Sequence, residues 1–251
     1  MKTLLFILIS ISVAASAIAQ NSKFVHSGSI EFEKRANIYA IRKKQITSEN
    51  EIILLPKLEE YKQKNEQFKV SKSILYFDNN KSLYKPISDQ SNDNEELFSS
   101  RNIIKTDLTS GTSLSQKKAF EELFSIKDSI RKIDWKITDE ERDIAGFTCR
   151  RANAIILDSI YVVAFYTIEI PMRGGPESFT GLPGMILGVA LPHDNLTWFA
   201  TKVVDRVVKE NELTTPITGK LTGYKDFEII VKRSLQLMKD AAQPILVSLL
   251  L

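Results

Sequence analysis

Residues 27–34, SGSIEFEK, set apolar Ile30 and Phe32 against Glu31 and Glu33, and this period of two turns one face of an extended strand toward a core and the other toward water. The alternation returns in FKVSKSILYFD (68–78), which the turn residues Asp78, Asn79 and Asn80 join to KSLYKP (81–86) as a hairpin. KIDWKIT (132–138) alternates Ile133, Trp135 and Ile137 with polar neighbours. DSIYVVAFYTIEIP (158–171) is apolar on both faces from Tyr161 to Phe165, as a central strand covered on each side requires. MILGVAL (185–191) and LTWFATKVV (196–204) follow, parted by Pro192, His193, Asp194 and Asn195. Strands at hairpin spacing predict a large, mostly antiparallel sheet.

Helical periodicity is rarer. KDFEIIVKRSLQLMKD (225–240) spaces Phe227, Ile230, Val231, Leu235 and Met238 along one face, and Pro244 ends it. A second helix is expected within residues 48–68, with Pro56 limiting where it begins. Residues 87–100, ISDQSNDNEELFSS, read as an exposed loop, and the apolar octet PILVSLLL (244–251) as a final buried strand. The predicted fold class is α+β: a curved, mostly antiparallel sheet, open or an incomplete barrel, with the C-terminal amphipathic helix packed on it.

The N-terminus carries a different pattern. Lys2, an apolar run from Leu4 to Val13 and the small-residue end Ala17-Ile18-Ala19 form a secretory signal peptide over residues 1–19, cleaved near Ala19. The run is too short to span a bilayer, so the mature chain has no transmembrane segment, and residues 20–251 form a single exported domain, periplasmic or at the cell surface. A formal charge of +3 is too weak to suggest a nucleic-acid surface. Cys149 is the sole cysteine, so core burial rather than an internal disulfide must stabilise the domain. In GFTCRRA it reads as a small inward-facing hydrophobe on a strand.

Chemical motifs are sparse. There is no G-x-S-x-G elbow, H-E-x-x-H helix, phosphate-binding loop or dinucleotide fingerprint, and only His26 and His193 could act as histidine bases. No cofactor or catalytic residue is assigned. Asp89, Ser91, Asp93 and Glu95 resemble the start of a calcium loop, which fails at Asn94, where glycine is needed, and at Ser100, where a bidentate Glu belongs. Cys149, His26, His193 and a methionine such as Met172 or Met185 leave a soft-metal site open, and the many acidic residues leave carboxylate hydrolysis open.

The most unusual stretch is IPMRGGPESFTGLPGMILGVAL (170–191). Leu182-Pro183-Gly184-Met185 has the residues of a type II turn, Gly184 supplying a positive φ. Phe179 is placed to pack back on the sheet. Gly174, Gly175, Pro176, Phe179, Gly181, Leu182, Pro183 and Gly184 therefore form either a tight connection or a binding loop whose bare backbone admits a ligand or partner.

GLPGMI at 181–186, with IAGFTCRRA (144–152), VAFYTIEIP (163–171), WKITDEE (135–141), GSIEFE (28–33) and LYFDNNKSLY (75–84), resembles the GLPGLI family of exported Bacteroidota proteins. Met185 stands in place of a Leu of that motif, and Phe165 where the family often has Trp. The resemblance implies an uncharacterised accessory role in the envelope, beside TonB-dependent receptors, and places Cys149 at a family cysteine. The leading expectation is a non-enzymatic exported binding or accessory protein that engages a hydrophobic ligand or an envelope partner. The alternatives are a carboxylate hydrolase and a metal-handling protein built on Cys149 and the histidines.

Overall fold

The structure, a computed structural model, describes residues 24–87, 102–236 and 242–251. The expected signal peptide with its cleavage point at Ala19, the oxygen-rich run around Asp89 to Glu95, and the predicted helix beyond Gln236 lie outside the described residues.

In chain order the elements are β1 (Ser27–Asn37), α1 (Ile38–Lys44), α2 (Glu51–Lys64), β2 (Phe68–Asp78), β3 (Lys81–Pro86), β4 (Ile103–Asp107), β5 (Thr112–Ala119) and β6 (Glu122–Ser129). Then come β7 (Lys136–Ile144), β8 (Phe147–Ile156), β9 (Ile160–Thr167), β10 (Met185–Leu191), β11 (Leu196–Asp205), β12 (Lys220–Thr222), α3 (Tyr224–Ser234) and α4 (Gln243–Leu250). One twelve-stranded sheet takes the order β12-β6-β5-β4-β3-β2-β1-β11-β10-β9-β8-β7. Neighbours pair antiparallel except β12, which runs parallel to β6 through Lys220↔Phe124 and Thr222↔Ile126.

These observations correct the expected α+β class. The chain is mostly β, about 46% strand against 21% helix, and its mixed sheet does not close into a barrel. The sheet supplies most of the two largest apolar clusters, and α3 and α4 supply most of a third, around Phe124 and Phe227. The expected final strand is likewise corrected, because residues 243–250 are the helix α4. The helix feeds two cores at once: Val247 and Leu251, four apart, join the cluster around Trp198, while Leu249 and Leu250 join the one around Phe124 and Phe227. A strand would direct alternate residues away from both.

On α3, Phe227 and Val231 are the buried stripe, and Phe227 meets Phe124 of β6 edge to face at 5.2 Å between centroids. Among the described residues no helix is long and apolar enough to cross a membrane.

Candidate functional site

Strand parity delivers two lysines to the interior. On β1, Ile30, Phe32, Lys34 and Ala36 share the buried parity, leaving Lys34 only 4% exposed. In register it faces Trp198 of β11, and its Nζ lies 5.0 Å from the centre of the indole ring. A cation over an aromatic face recovers part of the solvation it loses. On β5, Ser115, Lys117 and Ala119 share the buried parity, and Lys117 is 3% exposed. The register carries one interior row from Leu75 through Tyr84, Ile104 and Ser115 to Ile126, across β2 to β6.

Opposite these strands lies the connection from β9 to β10, and it brings the counter-charge. Glu177, 3% exposed and held at φ 50°, directs its carboxylate among donors. Asn102 Nδ2 donates to Oε2 at 2.9 Å, and the Tyr84 hydroxyl reaches Oε1 at 3.5 Å while accepting from Ser73 Oγ at 2.8 Å. Among the side chains of the described residues, Glu177 is the one carboxylate whose charge acts on both lysines. Burial pushes the Lys34 amine below its ordinary range, and Glu177 partly restores it. Burial likewise brings Lys117 down to about 7, against the opposing pull of Glu177 and with added repulsion from Arg131 and Lys34.

Stability should therefore depend on pH. Lys117 binds its proton less tightly folded than unfolded, so between its folded value near 7 and its ordinary 10.5 the unfolded chain holds more protons. Stability is then expected to rise with pH through that window, by up to about 1.4 kcal/mol per pH unit for a single such group. Urea denaturation across the window measures it, and Lys117→Met should flatten the slope.

Lys117 also forms part of the wall of an open cleft of about 240 Å³ between β5, β6 and α3. Ile104, Ile126, Tyr224 and Leu251 supply apolar wall, Ser113, Ser115, Ser129 and Ser178 supply hydroxyls, and Arg131, Lys225 and Asp128 supply charge. The last turn of α4 abuts it. Lys117 Nζ donates to the Leu249 carbonyl at 3.1 Å and Arg131 Nη2 to that of Leu250 at 2.7 Å, so cations meet the negative end of the helix. The Arg131 guanidinium lies 4.8 Å from the centre of the Tyr224 ring, while its Nη1 is buried with no hydrogen-bond partner. Asp128 is committed elsewhere: its Oδ2 accepts from the Tyr224 N–H at the start of α3 at 2.9 Å. That bond leads the backbone N–H bonds that hold its carboxyl below the ordinary range.

The motif residues of 174–184 divide by burial. Gly174, Gly175, Pro176, Phe179, Leu182 and Gly184 are buried, while Gly181 and Pro183 are exposed. A Cβ on Gly175 would stand 2.8 Å from both Ile186 Cβ and the Phe179 carbonyl oxygen, so its bare backbone faces its own chain. The expected type II turn is corrected too: Gly181, not Gly184, has the positive φ, 101°. Arg173 ties the loop by donating to the carbonyls of Leu182 and Gly181, and Trp135 Nε1 donates to that of Thr180 at 2.9 Å. Phe179 packs edge to face on Trp198 at 6.1 Å. The loop thus aims Glu177 inward.

Cys149 is fully buried in an apolar cluster with Met172 and Met185. Burial first, then the charges of Glu169 and Asp143, push its thiol up to about 12. Iodoacetamide at about pH 8 is accordingly expected to leave the folded chain unlabelled and to alkylate it fully in denaturant. His26 and His193 lie against Phe24 and Tyr161 respectively, and among the described residues no three His, Cys, Asp or Glu side chains gather as a metal site would need.

Glu177, Lys34, Lys117 and Arg131 are absent from the motif reading. Lys34 was detectable, since it shares the parity of Ile30 and Phe32, and Glu177 lies inside the motif between Pro176 and Phe179. Nothing in the sequence pattern marks Lys117 or Arg131.

Residues 156–188 match the model of a family described as "Protein of unknown function (Porph_ging)", a stretch from the end of β8 into β10 that includes Glu177. No curated protein sequence matches the chain. In fold the chain is similar to PNGF-II. With the structure in space group P21 the TM-score is 0.50 and the identity 16%, over 80% of this chain and 32% of that one. With the structure in space group C2 they are 0.52 and 12%, over 83% and 33%. The chain spans about one third of the length of PNGF-II, and the likeness concerns the fold.

Proposed function

We propose that this chain is a non-enzymatic binding or accessory protein of the bacterial envelope, exported with its signal peptide removed near Ala19, whose small ligand sits in the cleft between β5, β6 and α3. The observation that carries this reading is the cleft itself: apolar wall and hydroxyls around a buried Lys117 and an Arg131 whose Nη1 lacks a partner. Few convergent polar groups in an otherwise apolar concavity are the usual make-up of a ligand site. The nearby carboxylates are occupied, Asp128 at the start of α3 and Glu177 among donors, which favours binding over acid–base hydrolysis. Gly175 and Gly184 pack closely on either side of Glu177 in the chain, and the likeness of the GLPG-type loop to the GLPGLI pattern is the support for an envelope setting.

Native mass spectrometry of the full chain recovered from its own envelope tests both parts. We expect a protein mass beginning at Gln20 together with a small bound species that denaturation releases. A bare protein mass would overturn the ligand reading, and an uncleaved N-terminus would overturn the export reading.

A further inference from the structure

We propose that the cleft takes a small amphiphilic carboxylate, its apolar body against Ile104, Ile126 and Leu251 and its head at Arg131 and Lys117, and that binding draws a proton from solvent onto the Lys117 amine. This inference rests on the binding reading above and names the chemistry of the ligand.

Three observations converge on it. The first is charge balance: Arg131 and Lys34 both bear on the charge of Lys117, and of the described side chains Glu177 is the one carboxylate acting on both lysines. An excess of buried positive charge is costly, and it is relieved either by loss of a proton or by arrival of an anion. The second is the orphan donor. Arg131 spends Nη2 on the Leu250 carbonyl and its face on Tyr224, while Nη1 remains buried and unpaired, suited to a carboxylate oxygen. The third is shape. An apolar cavity of about 150 Å³ accepts benzene. The cleft's 240 Å³ therefore suits a ring or short chain carrying one head group.

The remaining groups around Lys117 do not replace that anion. Asp128, from β6, is held by the N–H of Tyr224, and Lys225 of α3 adds positive charge at the rim. The connection before β10 presents Glu177 and Ser178, β1 presents Lys34, and α4 presents the Leu249 carbonyl. A ligand carboxylate would supply the missing negative charge and restore the proton to Lys117.

Calorimetric titration of the full chain with octanoate, and with octan-1-ol as its uncharged counterpart, tests the proposal. Octanoate is expected to bind and octan-1-ol to bind at least about tenfold more weakly, a head-group difference in the range of a charged hydrogen bond. Affinity should fall at least about tenfold from about pH 6 to about pH 9, with proton uptake visible near pH 8 as a dependence of the heat on the buffer. Arg131→Met should weaken octanoate at least about tenfold, as loss of a charge-assisted bond would. Should that variant misfold, the ligand pair and the pH series on the unaltered chain decide alone. Equal binding of octan-1-ol, or affinity independent of pH, overturns the carboxylate assignment while leaving a binding cleft in place. Failure of both probes together with a neutral species bound to the envelope-derived protein does the same, and failure of both with a bare protein mass overturns the binding reading as well.

Discussion

Glu177→Gln is expected to destabilise the fold by about 3–5 kcal/mol near neutral pH, the range found when one partner of a buried charge pair is removed. The substitution keeps shape and retains a carbonyl to accept from Asn102 Nδ2, and it leaves the backbone, with its φ of 50°, unchanged. What it removes is the one charge that opposes the burial of Lys34 and Lys117. The penalty should be larger below about pH 7 than above it, because Lys117, whose folded value lies near 7, is largely neutral in the folded state above that point and needs no counter-charge. Lys34→Met in the same chain should recover part of the loss, since its hydrocarbon stem is replaced and its charge is not. Urea denaturation of the two single variants and the double variant closes the cycle. A loss under about 1 kcal/mol at neutral pH, in the range of an exposed ion pair, would sink the assignment of Glu177 as the buried counter-ion.

The same polar interior accounts for what the sequence pattern reveals and what it hides. Strands β1, β2, β3, β9, β10 and β11 turn Ile30, Phe77, Leu83, Val162, Leu187 and Trp198 to the interior, and each is legible as an apolar position in an alternating or continuous run. Strands β4, β5 and β6 escape the pattern because their buried positions include Thr106, Ser115, Lys117 and Ser125. Hydrophobic periodicity reports burial only where burial is apolar. The buried polar side chains that set these strands apart are therefore what erases their signature. The octet 244–251 fails for the opposite reason: apolar at every position but Ser248, it carries no period that separates helix from strand, and only the two clusters it bridges decide.

The motif loop shows a further limit of pattern reading. Glycine and proline announced an unusual backbone, and the eye goes to the glycines as the exposed, ligand-approachable element. In the fold Gly175 and Gly184 bring the loop against β10 and the end of β9, and the charged side chain buried between them in the chain is Glu177. Spacing alone does not say which member of such a stretch is scaffold and which is cargo.

That division makes Gly184→Ala the sharpest steric test of the loop, with an expected loss above about 3 kcal/mol or failure to accumulate as folded protein. A Cβ there would stand 2.0 Å from the Thr167 carbonyl oxygen, 2.8 Å from its carbon and 3.1 Å from Ile168 Cα. All are backbone atoms, so no rotamer change relieves the clash. Relief requires parting β9 from β10 at the Met185↔Thr167 rung, beside the Met185 N–H bond to the Ile170 carbonyl at 2.9 Å. Because Gly184 is not among the positive-φ residues, the cost is contact rather than dihedral strain. Gly111→Ala isolates the other cause: its φ is +69° and nothing lies within 4 Å of the new methyl group, so a loss of about 1–2 kcal/mol is expected from the left-handed backbone alone. Equal losses for the two substitutions, measured by urea denaturation, would overturn the close approach at Gly184. A larger loss there, with octanoate binding weakened in the folded fraction, would tie the rigidity of this loop to the cleft that its Ser178 helps to line.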